Sequence, residues 1–185
     1  FAREVRQLLA PEGIWVFEQS YMPRMLEQNS YDTVCHEHLE YYGLQQIKWI
    51  TDRSDLKIVD VEFNDVNGGS FSVSVAPSSS SFPAFVHLDQ LLQHEKDMKL
   101  DQLGPYLAFS DRVLELKNDL LRFVREAKMH GKKIAGLGAS TKGNVLLQYC
   151  GLSKNDLSCI GEVNPDKYGC VTPGSHIPIV SEDEV

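Results

Sequence analysis

The stretch Cys35-His36-Glu37-His38 sets two imidazoles around one carboxylate, in a chain of 185 residues that holds six histidines. Three kinds of chemistry fit those residue types. A histidine titrates near neutrality and a neighbouring glutamate can tune it, so the group suits general-base work on a carbon or hydroxyl acid. His36 and His38 can share one side of an extended segment and begin a metal site, but a metal needs three or four ligands and no third is apparent. Both imidazoles can also bond backbone groups and do no chemistry. On the residues alone, His38, Glu37 and His36 are candidates for proton transfer, with the other readings open.

A second constellation lies far along the chain, in "GLGASTKG" from Gly136 to Gly143. Glycines at a strand-to-helix turn permit close backbone approach, and a helix N-terminus offers N–H groups to an anion. Lys142 adds a point charge, and Ser140 and Thr141 add hydroxyls, so the turn suits a phosphate. It is not a Walker A loop, because Lys142 precedes the last glycine. It departs from GxGxxG as well, because Thr141 stands where the third glycine is expected. A turn that needs its glycines only for its own geometry is the alternative. Glu162 follows 24 residues after Gly138, at about the distance of the ribose-binding acid of dinucleotide folds. Lys167 and the Pro173-Gly174 turn are expected near the same strand ends.

These residues need elements to hold them. The opening "FAREVRQLLAPEGIWVFEQSY" predicts a helix with Val5, Leu8 and Leu9 on one face. A Pro-Glu-Gly turn follows, then an apolar strand from Ile14 to Phe17 of the kind covered on both faces. "MPRMLEQN" predicts a short helix, "SYDTVCHEH" a loop, and "LEYYGLQQIKWITDRSD" a helix with Leu44, Ile47 and Ile50 in step. Next, "LKIVDVEFNDVNGGSFSVSVAP" predicts a hairpin tightly turned at Asn67-Gly68-Gly69. Val59, Val61 and Phe63 share one face of its first strand, and Phe71, Val73 and Val75 one face of its second. The Ser-rich run Ser78–Pro83 predicts a linker before a helical region that ends near His130. Val113, Leu116, Leu120, Val124 and Ala127 form a stripe on it, and Gly131 stops it. From Lys132 onward, strand, turn, helix and strand alternate, which predicts a parallel sheet.

Composition bounds the function. A net charge of −8 leaves no basic field for nucleic acid or anionic membrane, and no apolar run reaches the length of a bilayer span. Cys35, Cys150, Cys159 and Cys170 lack CxxC spacing, which predicts reduced thiols in a cytoplasmic protein. The helical pattern at Phe1 and the capping-box spacing of Ser181 and Glu184 at the end read as those of a fragment.

Taken in order, "GIWVFEQSY", "YDTVCHEHLEYYGL", "NGGSFSVSV", "GLGASTKGNVLLQYCG" and "NPDKYGCVTPGSHIPI" resemble the C-terminal half of the sugar C-methyltransferases that act on nucleotide-linked keto-deoxyhexoses. The resemblance covers essentially the whole chain. It implies an α/β protein in which residues 1–77 are the C-terminal part of a class I methyltransferase domain closed by an antiparallel hairpin. Residues 78–131 would be a Ser-rich linker and helical connector, and 132–185 a truncated Rossmann-like nucleotide- or substrate-binding domain. It further implies S-adenosylmethionine as cofactor, with most of its site upstream. Zinc is implied only in an N-terminal domain outside this chain. A nucleotide sugar is the implied partner, with neither nucleic acid nor membrane.

By motif position the resemblance makes His38 the base that removes a proton beside the keto group, with Glu37 and His36 beside it. Gly138, Ala139, Ser140, Lys142, Gly143, Asn144, Glu162 and Lys167 become the substrate-binding set. Cys35 stands where the family often has tyrosine, a departure that bears on substrate or stereochemistry. Two rivals stay in play: an NAD(P)-dependent oxidoreductase built on the Gly136 turn, and a non-catalytic nucleotide-binding module.

Overall fold

Alternating apolar and polar residues build the first sheet. In this computed structural model, which describes residues 1–185 apart from the side chain of Asn67, three antiparallel strands lie in the order β1-β3-β2. They are β1 (Trp15–Ser20), β2 (Leu56–Asn64) and β3 (Ser70–Pro77). The chain divides into two compact units, one of Phe1–Ser30 with Leu39–Phe109, the other of Tyr31–His38 with Ser110–Val185.

In the first unit, β3 is the central strand, and Phe71, Val73 and Val75 are fully buried on its inner face. The expected face of β2 is corrected. Register shifts between Ile58 and Asp60, so Val59 is an extra residue, and the buried set becomes Leu56, Ile58 and Val61. The turn is also longer than expected. A five-residue connection contains a 3-10 turn at Val66–Gly68, and the positive φ angles fall on Gly68 (84°) and Gly69 (111°).

The strand expected to be covered on both faces is instead an edge. β1 pairs only with β3, and Val16 is 59% exposed while Trp15 and Phe17 pack on the core. Helix α1 (Ala2–Leu8) buries no residue, and Leu8 faces solvent. Helix α2 (Met22–Gln28) ends at Asn29 in the left-handed conformation. Helix α3 (Leu44–Asp52) starts at Leu44, after its N-cap Gly43, rather than at Leu39, burying Leu44 and Ile47. The helical region after the serines is two helices, α4 (Leu88–Asp97) and α5 (Gly104–Met129).

Ser78–Pro83 and the residue after next are bonded into the first unit. Ser78 N–H donates to Asp55 O, Lys57 Nζ to Ser80 O, and Phe85 N–H to Ile58 O. One buried carboxylate organises this unit. Glu95 of α4, 1% exposed, accepts from the Tyr21 hydroxyl at 2.9 Å and from the N–H groups of Leu44 and Gln45. It thus satisfies two orphan donors at the start of α3, where Gly43 has no side chain to cap them. Burial, and then the Glu95 charge, push the Tyr21 phenol well above its ordinary range.

The second unit holds the expected parallel sheet, in the order β4-β5-β6: β4 (Gly136–Leu137), β5 (Ile160–Glu162) and β6 (Ile179–Ser181). Helix α6 (Thr141–Cys150) links the first two strands. Val124, Cys150, Leu152, Leu157, Ile160 and Ile177 form its core. Of the stripe expected on α5, Val113 and Val124 are buried, whereas Leu116 is 42% exposed. Gly131 has φ +67° beyond the helix end. Ser181 and Glu184 do form a capping box, on a single 3-10 turn. Among the described residues no helix is long and apolar enough to cross a membrane.

Candidate functional site

The strand-to-helix turn of the second unit follows from three residues. Gly136 faces Ile160, whose Cδ1 would stand 2.6 Å from an added Cβ. Gly138 takes φ +84°, a conformation that favours glycine. Ser140 then caps α6, its Oγ accepting from Gly143 N–H at 3.0 Å.

Glu162, at the end of β5 and 6% exposed, binds this turn. Its Oε2 accepts from Ala139 N–H at 2.9 Å, and its Oε1 from Val163 N–H at 2.9 Å and Asn164 N–H at 3.1 Å. Lys167 Nζ donates to Glu162 Oε2 at 3.1 Å and to Ala139 O at 2.9 Å. The Asn164 N–H, then Lys167, then the Ala139 N–H hold the Glu162 carboxyl down to about 2. Glu162 and Lys167 therefore clasp the turn from the neighbouring strand end.

The His-Glu-His stretch belongs to the same unit. After a 3-10 turn at Tyr31–Thr33, the chain reverses, with His38 N–H donating to Cys35 O at 3.1 Å. The carbonyl of Thr33, itself 2% exposed, accepts from both Cys35 N–H at 3.0 Å and His38 Nδ1 at 2.8 Å. A carbonyl only accepts, so the neutral His38 ring carries its proton on Nδ1 and its basic nitrogen is Nε2.

Glu37 has several neighbours. The Cys35 thiol donates to its carboxylate, His36 Nδ1 lies 3.7 Å from Oε2, and Thr141 Oγ1 donates to Oε1 at 3.4 Å. The Cys35 hydrogen bond leads in lowering the Glu37 carboxyl, while burial leads in raising the Cys35 thiol, with the Glu37 bond adding to it.

All eleven residues singled out in the sequence thus fall in one unit, although His36–His38 and the rest are about a hundred positions apart. The Thr141–Glu37 contact joins the two constellations directly. The arrangement brings a histidine of fixed tautomer, a deprotonated glutamate and an N-capped glycine turn together. Thr33 was not foreseen, since it acts through its carbonyl and no side-chain pattern marks such a role. Among the described residues, no group of three or more His, Cys, Asp or Glu is placed to hold a metal ion.

Residues 65–185 match the family described as the C-methyltransferase C-terminal domain, and the chain belongs to that C-methyltransferase family, as its C-terminal portion. It is similar to the C-methyltransferase NovU of Streptomyces niveus, with 33% identity over 180 residues. That alignment covers 97% of this chain and 43% of the relative, so the chain spans less than half the relative's length.

Proposed function

We propose that this chain supplies the base and part of the substrate site of an S-adenosylmethionine-dependent C-methyltransferase acting on a nucleotide-linked keto-deoxysugar in the cytoplasm. The observation that carries the reading is the Thr33 carbonyl bond to His38 Nδ1, which supports Nε2 as the proton acceptor in a chain of this family. A proton beside a ketone is weakly acidic, so a positioned base is required, and proton transfer of this kind contributes about 10²–10⁴-fold. Glu37, whose carboxyl is lowered first by the Cys35 hydrogen bond and lies 3.7 Å from His36 Nδ1, places a negative charge in the same turn as His38. The α6 N-terminus, with Lys142, provides for the phosphates of the nucleotide, on a turn kept in shape by Glu162 and Lys167.

S-adenosylmethionine, when bound, supplies an electrophilic methyl group. The three strands of the first unit pair antiparallel, and its described residues offer no glycine-rich strand-to-helix turn for it, so we assign it no contacts in this chain. The oxidoreductase reading is weaker on one geometric ground. The acid expected to take a ribose, Glu162, has both oxygens engaged by Ala139, Val163, Asn164 and Lys167.

The test is proton exchange in the full-length enzyme. The wild type should incorporate solvent deuterium at the carbon beside the ketone, and His38→Asn should slow this at least about 100-fold with substrate affinity retained. Exchange within a few-fold of wild type would remove His38 from the role.

A further inference from the structure

Helix α6 turns one face to a cleft. Thr141, Asn144, Val145, Gln148 and Tyr149 recur at steps of three and four and line one wall of a cleft of about 570 Å³ within the second unit. The Cys35-His36 backbone turn forms the facing wall, and Pro173 closes one side. From Thr141 to Tyr149 the wall runs eight residues of helix, about 12 Å at 1.5 Å per residue.

Its chemistry changes along that length. At the end near the glycine turn is the helix N-terminus, suited to an anion, with the Thr141 hydroxyl beside it donating to Glu37. Val145 and Pro173 make the middle apolar. Two amides face the same space. Gln148 Nε2 donates to Pro173 O at 3.0 Å, which fixes that amide with its oxygen as the remaining acceptor. Asn144 Oδ1 is buried and has no hydrogen-bond partner in the protein, an unusual state for an amide oxygen. The far end is rigid, because the Tyr149 ring packs at 5.4 Å against Tyr31 and lies under Lys117 Nζ at 4.6 Å.

Resting on the nucleotide-sugar reading above, we propose that this cleft is the subsite for the heterocyclic base of the substrate's nucleotide. The phosphates lie at the start of α6, and the flat ring lies along Val145 between helix and Pro173. A turn of the Asn144 side chain brings its unsatisfied oxygen to an N–H on the ring edge. Gln148 Oε1 accepts from a second ring donor or from the sugar hydroxyls.

The experiment is calorimetric titration of this chain with thymidine, uridine and guanosine diphosphates and with inorganic pyrophosphate, for the parent and for Val145→Phe. At least one nucleoside diphosphate should bind about tenfold or more tighter than pyrophosphate, and Val145→Phe should weaken it at least about tenfold while leaving pyrophosphate and the unfolding midpoint unchanged. If that variant is destabilised, Gln148→Ala, at an exposed position, takes its place with an expected loss of about threefold or more. Nucleoside diphosphate affinity untouched by the substitution overturns the subsite and leaves the nucleotide reading standing. A parent chain that binds pyrophosphate as tightly as any nucleoside diphosphate overturns the subsite too. A parent chain that binds no nucleoside diphosphate overturns both.

Discussion

The Glu162 carboxylate accepts from the Ala139 N–H at 2.9 Å, so the end of one strand holds the turn that follows its neighbour. This bond fixes which groups near the glycine turn can serve a ligand. Ala139 N–H and Gly143 N–H are engaged by protein oxygens, from Glu162 and Ser140, before any anion arrives.

The clasp gives a signature in acid. Glu162 holds its proton far less readily in the folded chain, about 2 against an ordinary 4.5. Its contribution is therefore complete above about pH 4.5 and is lost as pH falls through about 2. Glu162→Gln should lower the urea midpoint at pH 7 and flatten the decline between these two values. Equal acid limbs for parent and variant would refute the clasp.

Glu95 leads to a prediction about the first unit. Truncation to Ala strands the Tyr21 hydroxyl and the N–H groups of Leu44 and Gln45 in a buried place. The cost should be on the order of 3 kcal/mol in urea unfolding. Tyr21→Phe removes only one donor and should cost about 1 kcal/mol.

Gly69 should tolerate no side chain. At φ +111° an added Cβ would lie 2.6 Å from Arg24 Cβ, an atom with little freedom to yield. Gly69→Ala should destabilise by about 1–3 kcal/mol, measured by thermal unfolding, whereas Gly104→Ala, with open space around it in a helix, should be neutral or stabilising.

The thiols should differ in reactivity. Burial and the bond to Glu37 raise the Cys35 thiol, which lowers its thiolate fraction near neutrality, whereas Cys170 is exposed. Timed iodoacetamide labelling at pH 7.5, read by mass spectrometry, should modify Cys170 first. Glu37→Gln should speed Cys35.

What the sequence made legible was local. The β2–β3 pairing shows in alternation, and the parallel second sheet in its strand–turn–helix rhythm. What stayed hidden depended on distance along the chain or on single extra residues. Val16 looks like core because apolar runs carry no record of whether a strand gains one neighbour or two. Glu95 reads as one more charge on a polar helix, and its donors lie 50 to 74 positions away. Of the candidate site, the residue types were visible. The Thr33 carbonyl and the α6 face lined by Val145 and Gln148 emerge only when Tyr31–His38 is folded into the second unit.

The extra residue at Val59 has a consequence for how this protein can change. Ile58 pairs with Val75 and Asp60 with Ser74, so without Val59 the ladder would close on itself with Ile58, Val61 and Phe63 still facing as they do. One codon can thus be lost at this point without reversing the strand beyond it. Elsewhere in β2 the same loss would turn every later side chain over. Related chains should differ in length here by a single residue more readily than anywhere else in the strand.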